Sequence, residues 1–196
     1  MTATPKGKIP GYDEPGGDRT QEVTNTYYDI PTVLPVFEQE AGYLHVRLPQ
    51  KPNGRTAWVK TTDVVVGKTP WKITINLAET RLRLFKAGEL LLEAPAGIGV
   101  DNTPTATGDF FVTFLQASPN ASYGPFEVVT SGHSNVLLTW QGFPDGILAL
   151  HGPVGAEGVI GTAGVKLSNG CVRLLIADLR QLADVQPGSP VQIVEA

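Results

Sequence analysis

The sequence contains one cysteine, Cys171, and three histidines, His45, His133 and His151. A thiol is a nucleophile only as its thiolate, and it needs a base to take the proton. Cys171 lies in Leu167-Ser168-Asn169-Gly170-Cys171-Val172-Arg173-Leu174. A small polar turn precedes the thiol, and a helix is expected just after it. A thiol at a helix N-terminus feels the positive end of the dipole, which favours thiolate. Unpaired backbone N–H groups there can bind an oxyanion. The plain alternative is a buried, inert cysteine.

Of the three candidate bases, His151 is the best placed. It ends the apolar run Ile147-Leu148-Ala149-Leu150 and is followed by Gly152-Pro153. A polar residue leaving a strand into a Gly/Pro loop is where sites are built. Its separation from Cys171 lets a loop fold back and bring the ring to the thiol. His133, in Thr130-Ser131-Gly132-His133-Ser134, reads as a loop histidine that either lines the same cleft or serves the loop alone. His45 alternates within a strand pattern and reads as a surface or structural residue.

These residues need a scaffold. The chain has 196 residues, one large or two small domains at about 150 residues each. Hydrophobic residues make up 41%, enough for a core and too much for a disordered chain. With 22 Gly and 16 Pro, the chain is too turn-rich for a helical bundle. The net charge is −4, so no basic excess exists to neutralise phosphates, and nucleic acid is not expected as a partner. A lone cysteine excludes an internal disulfide and multi-cysteine metal sites; no metal or cofactor is expected, because thiol, imidazole and backbone donors suffice.

Strand signals dominate. Tyr43 to Leu48 alternates, Lys51-Pro52-Asn53-Gly54 is turn chemistry, and Arg55 to Lys60 reads as the return strand. With Thr32–Phe37 and Val64–Val66, these make a small β-barrel over residues 1–68. Gly67-Lys68-Thr69-Pro70 marks the boundary. Residues 69–196 then carry strands at Trp71–Leu77, Leu82–Phe85, Leu90–Leu92, Phe110–Leu115, Phe126–Thr130, Val136–Trp140, Ile147–His151 and Val191–Val194. Only Leu174–Val185 has helical spacing, through Leu175, Leu179 and Leu182, and Pro187-Gly188 ends it. The expected fold is mainly β: a small N-terminal β-barrel, then a β-rich domain with one helix after the cysteine. Gln116 to Trp140, with Tyr123 and Trp140, suits a flap over a cleft or a pair of core strands.

His151-Gly152, then about twenty residues, then Ser168-x-Gly170-Cys171-x-Arg173, resembles the bacterial L,D-transpeptidases with a YkuD-type catalytic domain. Thr103-Pro104-Thr105-Ala106-Thr107-Gly108-Asp109-Phe110, Ser131-Gly132-His133-Ser134 and Gly188-Ser189-Pro190-Val191-Gln192-Ile193 match in the right order. The resemblance covers roughly residues 70 to 196. Asn169 departs from the pattern, where a histidine usually stands. Leu44 to Pro49, Pro52-Asn53-Gly54 and Ala57-Trp58-Val59 resemble a bacterial Src-homology-3-like barrel, expected to contact wall polymer or act as a spacer.

The resemblance implies a cysteine-dependent acyl transfer on peptidoglycan stem peptides. Cys171 is the implied nucleophile, His151 the base, and Gly152 the carbonyl that orients it. Asn169, Gly170 and Cys171 are the implied oxyanion hole. Arg173, Ser168, His133, Tyr123 and Trp140 are candidate substrate contacts. Carbapenems are implied as covalent inhibitors, and the chain is expected to act as a monomer. An L,D-carboxypeptidase, using water as acceptor, fits the same residues. So does a catalytically inactive wall-binding module, for which Asn169 is the one hint. Papain-like peptidases place cysteine before histidine, and sortases use a longer gap. The N-terminus lacks the apolar stretch of a signal peptide, which by itself reads as cytosolic. The implied substrate instead places the protein in the cell envelope, with its export or anchor segment outside this sequence.

Overall fold

The computed structural model describes residues 1–139, 145–162 and 165–196. The fold is mainly β, and its strands fall into two large sheets. The first half carries β1 (Thr2–Pro5), β2 (Ile9–Tyr12), β3 (Arg19–Val23), β4 (Thr26–Tyr27), β5 (Ile30–Pro31), β6 (Leu34–Glu40), β7 (Tyr43–Arg47), β8 (Thr56–Lys60) and β9 (Val64–Gly67). Seven of these form one sheet in the order β3-β2-β8-β7-β6-β1-β9, while β4 and β5 pair separately. The alternation read in Tyr43–Arg47 is real. Leu44 and Val46 are buried and their neighbours are not, so one face of β7 packs inward.

The second half carries β10 (Trp71–Asn76), β11 (Arg81–Lys86), β12 (Glu89–Pro95), β13 (Ile98–Gly99), β14 (Gly108–Ala117), β15 (Phe126–His133), β16 (Ile147–His151), β17 (Lys166–Ser168), β18 (Val172–Arg173), the helix α1 (Ile176–Arg180) and β19 (Pro190–Val194). Eight strands order as β12-β11-β10-β19-β14-β15-β16-β18, and β13 pairs with β17. The final strand β19 inserts between β10 and β14, parallel to one and antiparallel to the other. A strand from the end of the sequence thus joins β10 to β14 in the middle of this sheet.

The helix is shorter than its leucine spacing predicts. After Arg180 the chain continues in tight turns, with Leu182 N–H donating to Leu179 O and Val185 N–H to Leu182 O. Leu179, Leu182 and Val185 still bury on one side, so the apolar spacing reports burial rather than helix length. A strand was expected over Val136–Trp140. Instead Ser134 Oγ accepts the N–H groups of Val136 and Leu137, which turns the chain out of a ladder. Trp140 lies outside the described residues.

The two halves share their packing. One core gathers residues from Trp71 to Ile193, and the other gathers Ala3 to Val64 plus Phe111. Phe110 and Phe111 are consecutive on β14 and point to opposite faces, so one strand feeds both cores. Asn53 fixes the contact further. Its amide donates to His133 O at 2.8 Å and accepts from His133 N–H at 2.9 Å, as a neighbouring strand would.

Candidate active site

The neighbouring strands β14, β15, β16 and β18 present one face to a cleft of about 940 Å³, open mouth included. Strand periodicity explains which side chains reach it. Val128, Leu150 and Val172 are register partners and are fully buried in the core. Their neighbours therefore turn the other way. Glu127, Val129, Ala149, His151, Cys171 and Arg173 line the cleft, so His151 and Cys171 share it, as their spacing predicts.

His151 is buried at 4% exposure. Its Nδ1–H donates to Gly152 O at 2.8 Å, and its ring packs against Tyr123 at 4.6 Å between centroids. Loss of water pushes its pKa down to about 4, with the Arg173 charge adding to the fall and the Gly152 carbonyl opposing it. The imidazole is thus neutral at neutral pH. The turn Ala121–Tyr123, capped by Asn120 Oδ1 on Ser122 N–H, clamps this segment. Gly152 N–H donates to Tyr123 O at 2.7 Å, and Val154 N–H to Ser122 O at 3.0 Å. A Cβ on Gly152 would sit 2.7 Å from the Tyr123 backbone, so only glycine fits there.

The cysteine loop is braced from within. Gly170 has φ +113°, a region that disfavours side chains. The Ser168 hydroxyl donates to Cys171 O and accepts Gly170 N–H at 3.2 Å. Ser168 therefore braces the loop while lining the cleft, and its hydroxyl engages the Gly170 N–H expected in the oxyanion hole. Thr103 reaches the loop through Asn169 Oδ1 at 3.4 Å. The Thr103-Pro104 motif therefore packs beside the loop, with Pro104 lining the cleft.

Cys171 does not stand at a helix N-terminus. Strand β18 follows it, and α1 begins only at Ile176. Backbone pairing explains this, since Val172 and Arg173 join Leu150 and His151 in a parallel ladder. The Cys171 side chain is half-buried, with Sγ 3.8 Å from Ile147 O. Burial pushes the thiol pKa up, opposed by a backbone hydrogen bond from Ala149 and by Arg173. The resting pair is thus neutral thiol and neutral imidazole. Arg173 Nη1 donates to Pro153 O at 3.4 Å, and its buried Nε has no partner among the described residues.

One other expectation changes. His133 is not a loop residue at the cleft. It ends β15 at 1% exposure, with Nε2–H donating to Pro49 O at 2.7 Å. It belongs to the contact between the two sheets. Tyr123 does line the cleft, as does Asn169, which is exposed. Sequence reading missed Gln116 and Glu127, which also line it. The signal was a glutamate inside an apolar strand, one ladder away from the His151 strand. Among the described residues no cluster of His, Cys, Asp or Glu could hold a metal ion.

Solved structures of similar fold include L,D-transpeptidase 3 from Mycobacterium tuberculosis in complex with a faropenem-derived adduct. It is 14% identical with a TM-score of 0.52, over 98% of this chain and 82% of that one. The catalytic domain of the Enterococcus faecium L,D-transpeptidase acylated by ertapenem is 19% identical over 66% of this chain and all of that one, with a TM-score of 0.47. A curated YkuD-named L,D-transpeptidase sequence from Bacillus licheniformis is 25% identical over 125 residues, 63% of this chain and 66% of that protein's length. The family model for the YkuD L,D-transpeptidase catalytic domain matches residues 70–193, which span the cleft, the histidine and the cysteine loop; the chain belongs to the YkuD family.

Proposed function

We propose that the chain is a cysteine-dependent L,D-transpeptidase acting on peptidoglycan stem peptides in the cell envelope. The observation that carries this reading is the shared cleft. Cys171 and a His151 ring fixed by Gly152 O line one cavity inside the span that matches the family model.

The chemistry follows from the protonation states. Nδ1 of His151 holds its proton against Gly152 O, so Nε2 carries the lone pair and acts as base. The Cys171 thiol gives its proton to Nε2 as Sγ attacks the carbonyl on the L-centre of diaminopimelate in a tetrapeptide stem. A C–S bond forms. The imidazolium then returns the proton to the departing D-alanine nitrogen as the C–N bond breaks. The amine of a second stem attacks the thioester, its proton passes through the same imidazole, and the thiol is restored. The Cys171 N–H and the Asn169 amide meet the developing oxyanion. The Arg173 guanidinium binds a substrate carboxylate. The protein acts as a monomer, because one cleft serves both stems. The N-terminal sheet, read as a Src-homology-3-like module, contacts wall polymer or spaces the cleft from it.

The test uses β-lactams first. Incubation with faropenem or a carbapenem should add one acyl group to Cys171 by intact mass, and Cys171→Ala should add none while still folding. If the unaltered protein takes no adduct, the reading fails and an inactive wall-binding module replaces it. A tetrapeptide stem then separates the acceptors. Cross-linked dimer means transpeptidase, and tripeptide alone means L,D-carboxypeptidase.

A further inference from the structure

Glu127 is the only Asp, Glu, Lys or Arg among the described residues buried below a tenth exposed, at 8%. It lines the cleft beside Cys171 and His151. Its position follows from register. Glu127 on β15 stands opposite Gln116 on β14, and both face the cavity. Gln116 Nε2–H donates to Glu127 Oε2 at 2.7 Å. Among the described residues no Lys, Arg or His nitrogen forms an ion pair with this carboxylate. The remaining residues contain no cation.

A carboxylate held out of water is costly unless a cation or several donors compensate it. Here, among the described residues, one neutral amide does so. The charge also opposes the chemistry, because it is one of the influences holding the Cys171 pKa up. A structural cross-strand pair would be served as well by two amides, without either cost. Only an incoming cation relieves both.

The geometry points to Glu127, held by Gln116, as the point in the cleft that recognises a primary alkylammonium group of the substrate. This rests on the transpeptidase reading, which offers two such groups of identical chemistry. One is the free amine of the donor's diaminopimelate, and the other is the same amine on the acceptor stem. Neutralising Glu127 on binding lowers the cost of forming the thiolate nearby.

The test compares the full chain with Glu127→Gln, an isosteric change that keeps the acceptor for the Gln116 amide. Faropenem, which carries no ammonium, is the control. Its acylation rate should be unchanged or rise in the variant. Single-turnover acylation by the tetrapeptide should fall about tenfold or more if the donor ammonium is bound, as for loss of a hydrogen bond to a charged group. A donor acetylated on that amine should show no difference between the two proteins. If acylation holds but dimer formation falls tenfold at limiting acceptor, the acceptor ammonium is the one bound. Both results support the assignment. The variant should melt no lower than the parent, since a buried charge becomes a neutral amide. Unchanged peptide steps with intact faropenem acylation overturn the assignment, and so does a melting temperature lowered by several degrees. No faropenem adduct on the unaltered protein overturns the transpeptidase reading itself.

Discussion

The Nδ1 atom of His151 lies 2.8 Å from the carbonyl oxygen of its own neighbour, Gly152. A carbonyl only accepts, so the proton sits on Nδ1 and the lone pair on Nε2. In the proposed mechanism a backbone oxygen thereby takes the place of a triad carboxylate, without adding a charge to a buried site.

The first prediction concerns pH. Burial holds the His151 pKa down to about 4, so the proposed base stays unprotonated far below the ordinary histidine range. Acylation of Cys171 by faropenem should stay level from pH 7 to about 5 and fall to half near pH 4, not near the usual value of about 6.5. Stability changes with it. The unfolded histidine binds a proton below about 6.5, whereas the native one does not until about 4. The unfolded state therefore holds more protons in this window, and native stability drops as pH falls through it, by roughly 3 kcal/mol at most. Urea unfolding at several pH values should show this slope, and His151→Gln should flatten it. An acylation midpoint at pH 6 or above would contradict a desolvated imidazole.

Gly152 supports a second prediction. An added Cβ would meet the Tyr123 carbonyl carbon and oxygen, both at 2.7 Å. These are backbone atoms tied to Gly152 by its own N–H, so neither side can yield cheaply. Gly152→Ala should cost about 1–3 kcal/mol by denaturant titration. It should also slow acylation on the order of 100-fold, because the histidine moves with its carbonyl anchor. A variant that keeps parental acylation would show that the orientation of His151 does not depend on this contact.

Ser168 tests whether the cysteine loop is braced or catalytic. Its hydroxyl joins Cys171 O to Gly170 N–H. Ser168→Ala strands both backbone groups, at about 1–3 kcal/mol. Iodoacetamide should still alkylate the thiol, while faropenem acylation falls about tenfold. Loss of both reactions together would assign the hydroxyl a direct part in activating sulfur.

Much of this site was legible because strand alternation is a short-range signal. The run ending at His151 and the strand starting at Trp71 both formed as their patterns required. Leu175, Leu179 and Leu182 misled on length, since 3.6-residue spacing also suits successive tight turns packed on one core. His133 misled because Ser131-Gly132 reads as a loop, whereas Asn53 completes its backbone pairing from far along the chain. Glu127 was overlooked because its significance depends on sheet order. Only the placement of β15 beside β16 puts a carboxylate in the cleft with the thiol.

The last prediction follows from Phe111. It is fully buried in the core of the first sheet although β14 belongs to the second. Phe111→Ala should cost about 3–5 kcal/mol, the usual loss for a buried phenylalanine. Phe37, at 48% exposure, should cost less than about 1 kcal/mol on the same change. The loss should also be uneven. Ala3, Leu34 and Val46 pack in the Phe111 cluster, whereas Ile73 and Leu84 pack in the other. Amide exchange should therefore speed up in β6 and β7 more than in β10 and β11. The parent should unfold in one urea transition, because a strand shared by two cores couples them, and the variant in two. Equal acceleration across both sheets would mean that Phe111 holds the molecule together globally, rather than completing one core.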